Sequence, residues 1–225
     1  MSVRFFFQFC FGSILLQLTV TAVLSSNGYK YDSCGLLTSN ATSRQQTKFN
    51  FQLLGYDYDN LPIILMNWGH YDLRWLEAHP KQLDTFQRNI AQWIDDTSNG
   101  TFFRRVINDT WTTYSHVSIL DFDGLDLRQI LSETAIKLVL QTFIQLQKLN
   151  SLISYGFIVN ANPIAHQVIN LAKPLAANLL EHFDVYGTNS RKWKPFLAKK
   201  IPIHQLPPAF GGNKDFKPVA NCGLI

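Results

Sequence analysis

Hydrophobic and polar positions change period along this chain, and the changes mark its elements. Phe49, Phe51 and Leu53 alternate with polar neighbours, the period-two pattern of a half-buried strand. Gly55-Tyr56-Asp57-Tyr58-Asp59-Asn60 is turn chemistry, and Pro62-Ile63-Ile64-Leu65-Met66 is a second strand that completes a hairpin. Asp72 is placed to cap a short helix running through Leu76. From Pro80 the period lengthens: Leu83, Phe86, Ile90, Trp93 and Ile94 recur at helical spacing until Asn99-Gly100 punctuates the run. Phe102, Phe103, Val106 and Ile107 resume it. Residues 117–122 form a strand closed by Asp123-Gly124. Residues 126–150 are expected as one long helix, with Ile130, Leu131, Ala135, Leu138, Phe143, Leu146 and Leu149 on or near one face.

Residues 154–212 organise the rest. A buried strand, Gly156-Phe157-Ile158-Val159, leads through Asn160-Ala161-Asn162-Pro163 into a mostly apolar helix over residues 164–182. That helix carries Val168, Ile169, Leu171, Leu175, Leu179 and Leu180, too greasy a set for a solvated element. A short strand (Phe183 to Tyr186) and a basic amphipathic helix (residues 190–200) follow. Strands alternating with crossovers of a dozen or more residues predict an α/β fold, its mixed, largely parallel five-stranded sheet flanked by helices. An apolar helix between two strands suggests a cavity and no reaction centre.

Composition narrows the class. The chain has 225 residues, 46% apolar and 13% aromatic, enough for one sizeable globular domain. Its net charge of +4 fits weak attraction to anionic lipid surfaces and is too diffuse to argue for nucleic acid. Arg4, an apolar run from Phe5 to Leu24 and then Ser25-Ser26 describe a secretory signal peptide over residues 1–25. The alternative is an uncleaved anchor, against which Gln8 and Gln17 interrupt the run. Sequons at Asn40, Asn99 and Asn108 agree with a secreted or lumenal glycoprotein, and a cytoplasmic location follows if the run is not a functional signal. Beyond the signal the cysteines are Cys34 and Cys222, compatible with one disulfide or with two free thiols. Residues 26–48 read as a flexible lead-in and 214–225 as a C-terminal tail, leaving a domain at 49–213.

Four segments carry a resemblance. They are Gly55-Tyr56-Asp57 with Leu61-Pro62-Ile63 and Gly69-His70-Tyr71-Asp72-Leu73-Arg74; residues Asp121-Phe122-Asp123-Gly124-Leu125-Asp126-Leu127-Arg128; Phe157 to Asn160 with Asn170-Leu171-Ala172-Lys173-Pro174-Leu175; and Trp193 with Leu206-Pro207-Pro208-Ala209-Phe210-Gly211-Gly212. In this order and spacing the chain resembles the CRAL-TRIO lipid-binding domain family of retinaldehyde-binding, tocopherol-transfer and phosphatidylinositol-transfer proteins. The resemblance implies a mixed sheet walled by helices around an apolar pocket, with residues 164–180 as a mobile gate. Members usually carry a helical lobe upstream, where this chain has the signal-like run and polar lead-in. Phosphatidylinositol-binding members carry a glutamate just before the strand and a lysine at the end of the gate. Those positions are Ser151 and His182 here, which directs the expectation away from inositol headgroups.

The resemblance and the apolar pattern together nominate pocket-lining residues: Ile64, Met66, Ile119, Phe157 and Val159 on strands, Phe143 on the long helix, and Ile164, Val168, Leu171, Leu175 and Leu179 on the gate. The acid-free segment containing Arg191, Lys192, Trp193, Lys194, Lys199 and Lys200 offers charge plus an aromatic for docking on an anionic membrane. The competing and more frequent arrangement is a solvated helix with its apolar side in the core. His70, Asp72, His116 and the Asp57/Asp59 and Asp121/Asp123 pairs do not have the spacing of a metal site, and no nucleophile elbow, phosphate loop or dinucleotide fingerprint is present. The expectation is a monomeric, cofactor-free, non-enzymatic carrier of one hydrophobic molecule or lipid that touches membranes transiently. A fold-retaining interaction module is the alternative, and a lipid-modifying hydrolase is disfavoured.

Overall fold

The computed structural model describes residues 30–38, 42 and 48–225. The signal-peptide expectation (residues 1–25) and the sequon at Asn40 lie outside the described residues. In chain order the elements are β1 (Asn50–Tyr56), β2 (Pro62–Met66), α1 (Leu73–Glu77), α2 (Pro80–Ser98), α3 (Thr101–Val106), β3 (His116–Asp121), α4 (Glu133–Leu146), β4 (Ile153–Val159), α5 (Pro163–Leu180), β5 (Phe183–Val185), α6 (Ser190–Lys200) and β6 (Ala220–Gly223). The sheet order is β5-β4-β3-β2-β1-β6. β2 to β5 run parallel, whereas β1 is antiparallel to both β2 and β6.

The sheet has six strands where the sequence pattern predicts five. The extra strand, β6, falls in the expected tail and has no alternating pattern to announce it. Its pairing is set by tertiary contacts: Val219 N–H donates to Leu53 O (2.8 Å), Leu224 N–H donates to Phe49 O (2.7 Å) and Cys222 forms a disulfide with Cys34. The same bond orders part of the expected flexible lead-in. Cys34 and Leu36 are buried, and Asn89 of α2 donates to Leu37 O and accepts from Leu37 N–H. Arg105 of α3 donates to both Cys34 O and the Asp96 carboxylate at 2.8 Å. The single long helix expected over 126–150 is also broken. Asp126 starts a separate 3-10 turn (Leu127–Ile130) through a capping box with Gln129, and Ser132 caps α4 by accepting from Ala135 N–H.

Side-chain alternation along the strands divides the core in two. Phe51, Leu53, Ile64, Met66, Leu120 and Ile158 face the layer built by α1 to α5. Leu54, Ile63, Leu65, Val117, Ile119, Phe157 and Val159 face Trp193, Leu197, Ile201, Leu206 and Phe210 from α6 and the loop beyond it. Gly69 lets the loop after β2 press against the loop after β3: a Cβ there would stand 1.9 Å from Asp123 O.

Candidate functional site

The α1–α5 face holds an apolar cavity. Its wall comprises Trp68 and Tyr71 after β2, Leu73 of α1, Phe86 and Ile90 of α2, Phe122 and Leu125 after β3, Ile130, then Leu138, Val139 and Thr142 of α4 and Val168 of α5. The space is narrow. Its volume is about 30 Å³. Polar atoms in the wall are turned to protein partners. Tyr71 O–H donates to Asn50 O (2.9 Å), Thr142 O–H donates to Leu138 O (2.8 Å) and Trp68 Nε1–H reaches Met66 Sδ (3.4 Å). Burial holds the Tyr71 phenol well above its usual range, so it stays protonated and keeps that donor role. Such a wall recognises a ligand by shape and apolar area, each Å² being worth roughly 25 cal/mol.

One side of the cavity belongs to α5, and its local sequence explains its geometry. Asn162 caps the helix by accepting from Ala165 N–H (2.9 Å) while its amide donates to Leu125 O (2.6 Å). Ala165, Ala172 and Ala176 are fully buried, small enough for close approach to α4 and the 3-10 turn that follows it (Gln147–Leu152). Pro174 removes a helical donor, and two residues later Ala176 leaves helical geometry (φ −142°, ψ 37°), so the helix is kinked. Gln147 Nε2 donates to Leu175 O at the break. α5 is therefore two short rods joined at a joint that a side chain from α4's C-terminus braces.

The structure sorts the sequence-nominated lining residues into three groups. Ile64, Met66, Phe143, Val168 and Leu179 are buried on the cavity face with Ile164 half-buried beside them, and of these Val168 touches the cavity itself. Ile119, Phe157 and Val159 point to the opposite face and pack under α6, as the period-two alternation of strand side chains requires. Leu171 and Leu175 are 51% and 40% exposed, on the outer side of α5. Ile144, also exposed, lies one turn before Gln147 and so on the same flank. Most of the wall was missed. Trp68, Tyr71, Leu125 and Ile130 come from loops and turns whose apolar residues have no period to signal an inward face.

Trp193, grouped above with the docking cations, is 2% exposed and packs against Phe210 (ring centroids 5.6 Å), so it is a core residue. Arg191, Lys192, Lys199 and Lys200 are exposed and Lys194 half-buried. Asn99 and Asn108 are exposed at turns, each accepting from the backbone N–H two residues on. Ser151 is exposed, and His182 Nε2 lies 3.1 Å from Asn150 Oδ1.

The titratable residues singled out in sequence have structural partners. Asp72 caps α1 and lies 3.6 Å from Lys48; Asp57 accepts from Asp59 N–H, Leu61 N–H and Tyr155 O–H. Asp121, its carboxyl raised by burial, accepts from Asn160 Nδ2 and Asp123 N–H. His116 is buried against the Phe103 ring, and loss of solvation lowers its imidazole to about 4, so it is a neutral core side chain at pH 7. Among the described residues no group of three His, Cys, Asp or Glu side chains is placed to hold a metal ion, and no helix is long and apolar enough to cross a membrane.

No curated protein matches the chain. Solved structures do, among them a crystal structure of Sfh5, at 14% identity and a TM-score of 0.44 over 73% of this chain. The match spans 55% of Sfh5, so this chain corresponds to little more than half of that protein. The family model described as the CRAL/TRIO domain matches residues 46–212, and the chain belongs to that family.

Proposed function

We propose that this chain is a non-enzymatic carrier that takes one hydrophobic molecule from a membrane or particle and shields it behind α5. The family is one of lipid-binding domains, generally without catalytic activity. The observation that carries the reading is the apolar cavity with every wall donor already engaged, closed on one side by a kinked helix. A lipid needs several hundred Å³, so α5 must swing at its Pro174–Ala176 joint to admit one. Leu171, Leu175 and Ile144, exposed on the outer side of that joint, are the surface that meets the bilayer as it opens. The ligand is of the tocopherol, retinoid, sterol or terpenoid kind, or a phospholipid bound through its chains, since neither Ser151 nor His182 supplies the inositol-binding carboxylate or lysine.

Exposed sequons and a Cys34–Cys222 disulfide favour a secreted or lumenal glycoprotein. The test is native mass spectrometry of the secreted protein after incubation with liposomes of a total lipid extract. A lipid-loaded mass is expected, with loading slowed about tenfold or more by the double substitution Leu171→Glu/Leu175→Glu at unchanged melting temperature. A homogeneous protein that takes up no lipid overturns carriage in favour of an interaction module. An unglycosylated cytosolic product overturns the location.

A further inference from the structure

Among the described residues, the side chains that wall the cavity include no charged group, and those with a polar atom are Trp68, Tyr71 and Thr142. The indole N–H of Trp68 and the phenol O–H of Tyr71 point to Met66 Sδ and Asn50 O, and neither Met66 nor Asn50 borders the space. Their hydrogens are therefore turned away from anything the cavity holds. Thr142 differs. It donates to Leu138 O at 2.8 Å, and both residues line the cavity, one turn apart on α4. A hydroxyl has one hydrogen and two lone pairs. With its hydrogen held by the helix, Thr142 Oγ1 is left as an acceptor in an otherwise apolar wall.

We infer that Thr142 sets the specificity of the carrier, and that the cavity selects a lipid alcohol, its hydroxyl buried against Thr142 Oγ1. The inference rests on the carrier reading above. A ligand hydroxyl donates its hydrogen to Thr142 Oγ1 and adds one hydrogen bond to those the wall already holds. An ether, ester, ketone or aldehyde oxygen only accepts. It can be met only if the Thr142 hydroxyl leaves Leu138 O, which exchanges one bond for another and adds none. A carboxylate or an ammonium group finds no counter-charge in the wall, so its loss of solvation goes uncompensated. A hydrocarbon of the same size binds through its area alone. The wall thus discriminates by the sign of the ligand's polar atom, donor over acceptor.

The experiment offers the full chain phosphatidylcholine liposomes carrying matched sets on a sterol, a retinoid and an acyclic diterpenoid skeleton. Each set contains the alcohol, its methyl ether and its ketone or aldehyde, and native mass spectrometry reads which species load. In at least one set the alcohol is expected to load about tenfold over its ether and carbonyl forms. Thr142→Val keeps the shape of the side chain and removes the hydroxyl, so alcohol and ether should then load equally. Thr142→Ser should restore the preference. A purely structural role would change the melting temperature and leave the alcohol-to-ether ratio where it was, and a preference due to the bulk of the ether methyl would survive in Thr142→Val. The inference is overturned, with carriage intact, if ether or carbonyl forms load as well as the alcohols, if phosphatidylcholine or a lipid of the total extract loads while no alcohol does, or if Thr142→Val keeps the parent ratio. A protein that loads nothing from any liposome overturns carriage itself, and the inference falls with it.

Discussion

The two faces of the sheet are covered by similar means, amphipathic helices on alternating strand residues, yet one face is solid and the other hollow. Under α6 a single large side chain, Trp193, fills the space between Phe210 and the strand residues, and Leu197 and Ile201 close around it. On the α1–α5 face, rings at Trp68, Tyr71, Phe86 and Phe122 meet at angles that leave a gap. The helix that borders the gap is lined inward with alanines and broken after Pro174. Packing one residue tightly makes a floor. Packing rings around a helix with small residues and a joint leaves a cavity behind a bent wall.

The largest effect is expected where the floor is cut. Trp193→Ala should cost about 4 kcal/mol, measured by urea unfolding, because the cavity it leaves has rigid strand residues on one side. Next comes the cross-link at the sheet edge. Replacing Cys34 and Cys222 together by Ala should cost about 3 kcal/mol, since the bond closes a loop with a sequence separation of 188. The melting temperature should fall while lipid loading of the folded fraction persists.

Acid should weaken the hollow face through His116. Its folded imidazole stays neutral down to about pH 4, whereas in the unfolded chain it takes up a proton below about 6.5. Across that window the unfolded state binds more protons, so stability falls as pH falls, by up to roughly 3 kcal/mol. His116→Leu should flatten this part of the pH profile. Asp121, raised by burial, acts with the opposite sign in both proteins.

The smallest and most discriminating pair tests hollowness directly. Ile119→Phe on the solid face should cost about 2 kcal/mol by overpacking. Val168→Phe on the hollow face should change stability by less than about 1 kcal/mol, because the ring has the cavity to enter, while lipid loading in native mass spectra falls sharply. Equal costs at the two positions would mean that the faces do not differ in packing.

Much of this molecule was legible because period and propensity report local structure. The alternation at Phe49, Phe51 and Leu53 marks β1, the run at Pro62 marks β2, and the apolar helix between two strands marks α5 as a wall of something. The ordered motifs from Gly55 to Gly212 pointed to the family. What stayed hidden was which way and how far. Nothing in the residues Ala220-Asn221-Cys222-Gly223 foretells a strand, because its pairing partner and its disulfide lie far away along the chain. Period two says that Ile64 and Ile119 are each buried on one face; it does not say that the two faces differ.

Most elements, the family and the apolar character of α5 were set by residues within a few positions of one another, β6 and the break before α4 excepted. That Val168 faces a cavity while Leu171 and Leu175 face outward, that Trp193 lies in the core, and that the basic helix lies across the sheet from α5 came from the folded arrangement alone. Those outcomes depend on how side chains from distant strands and helices interlock in three dimensions, where a gap is the difference between volumes that no single stretch of chain contains.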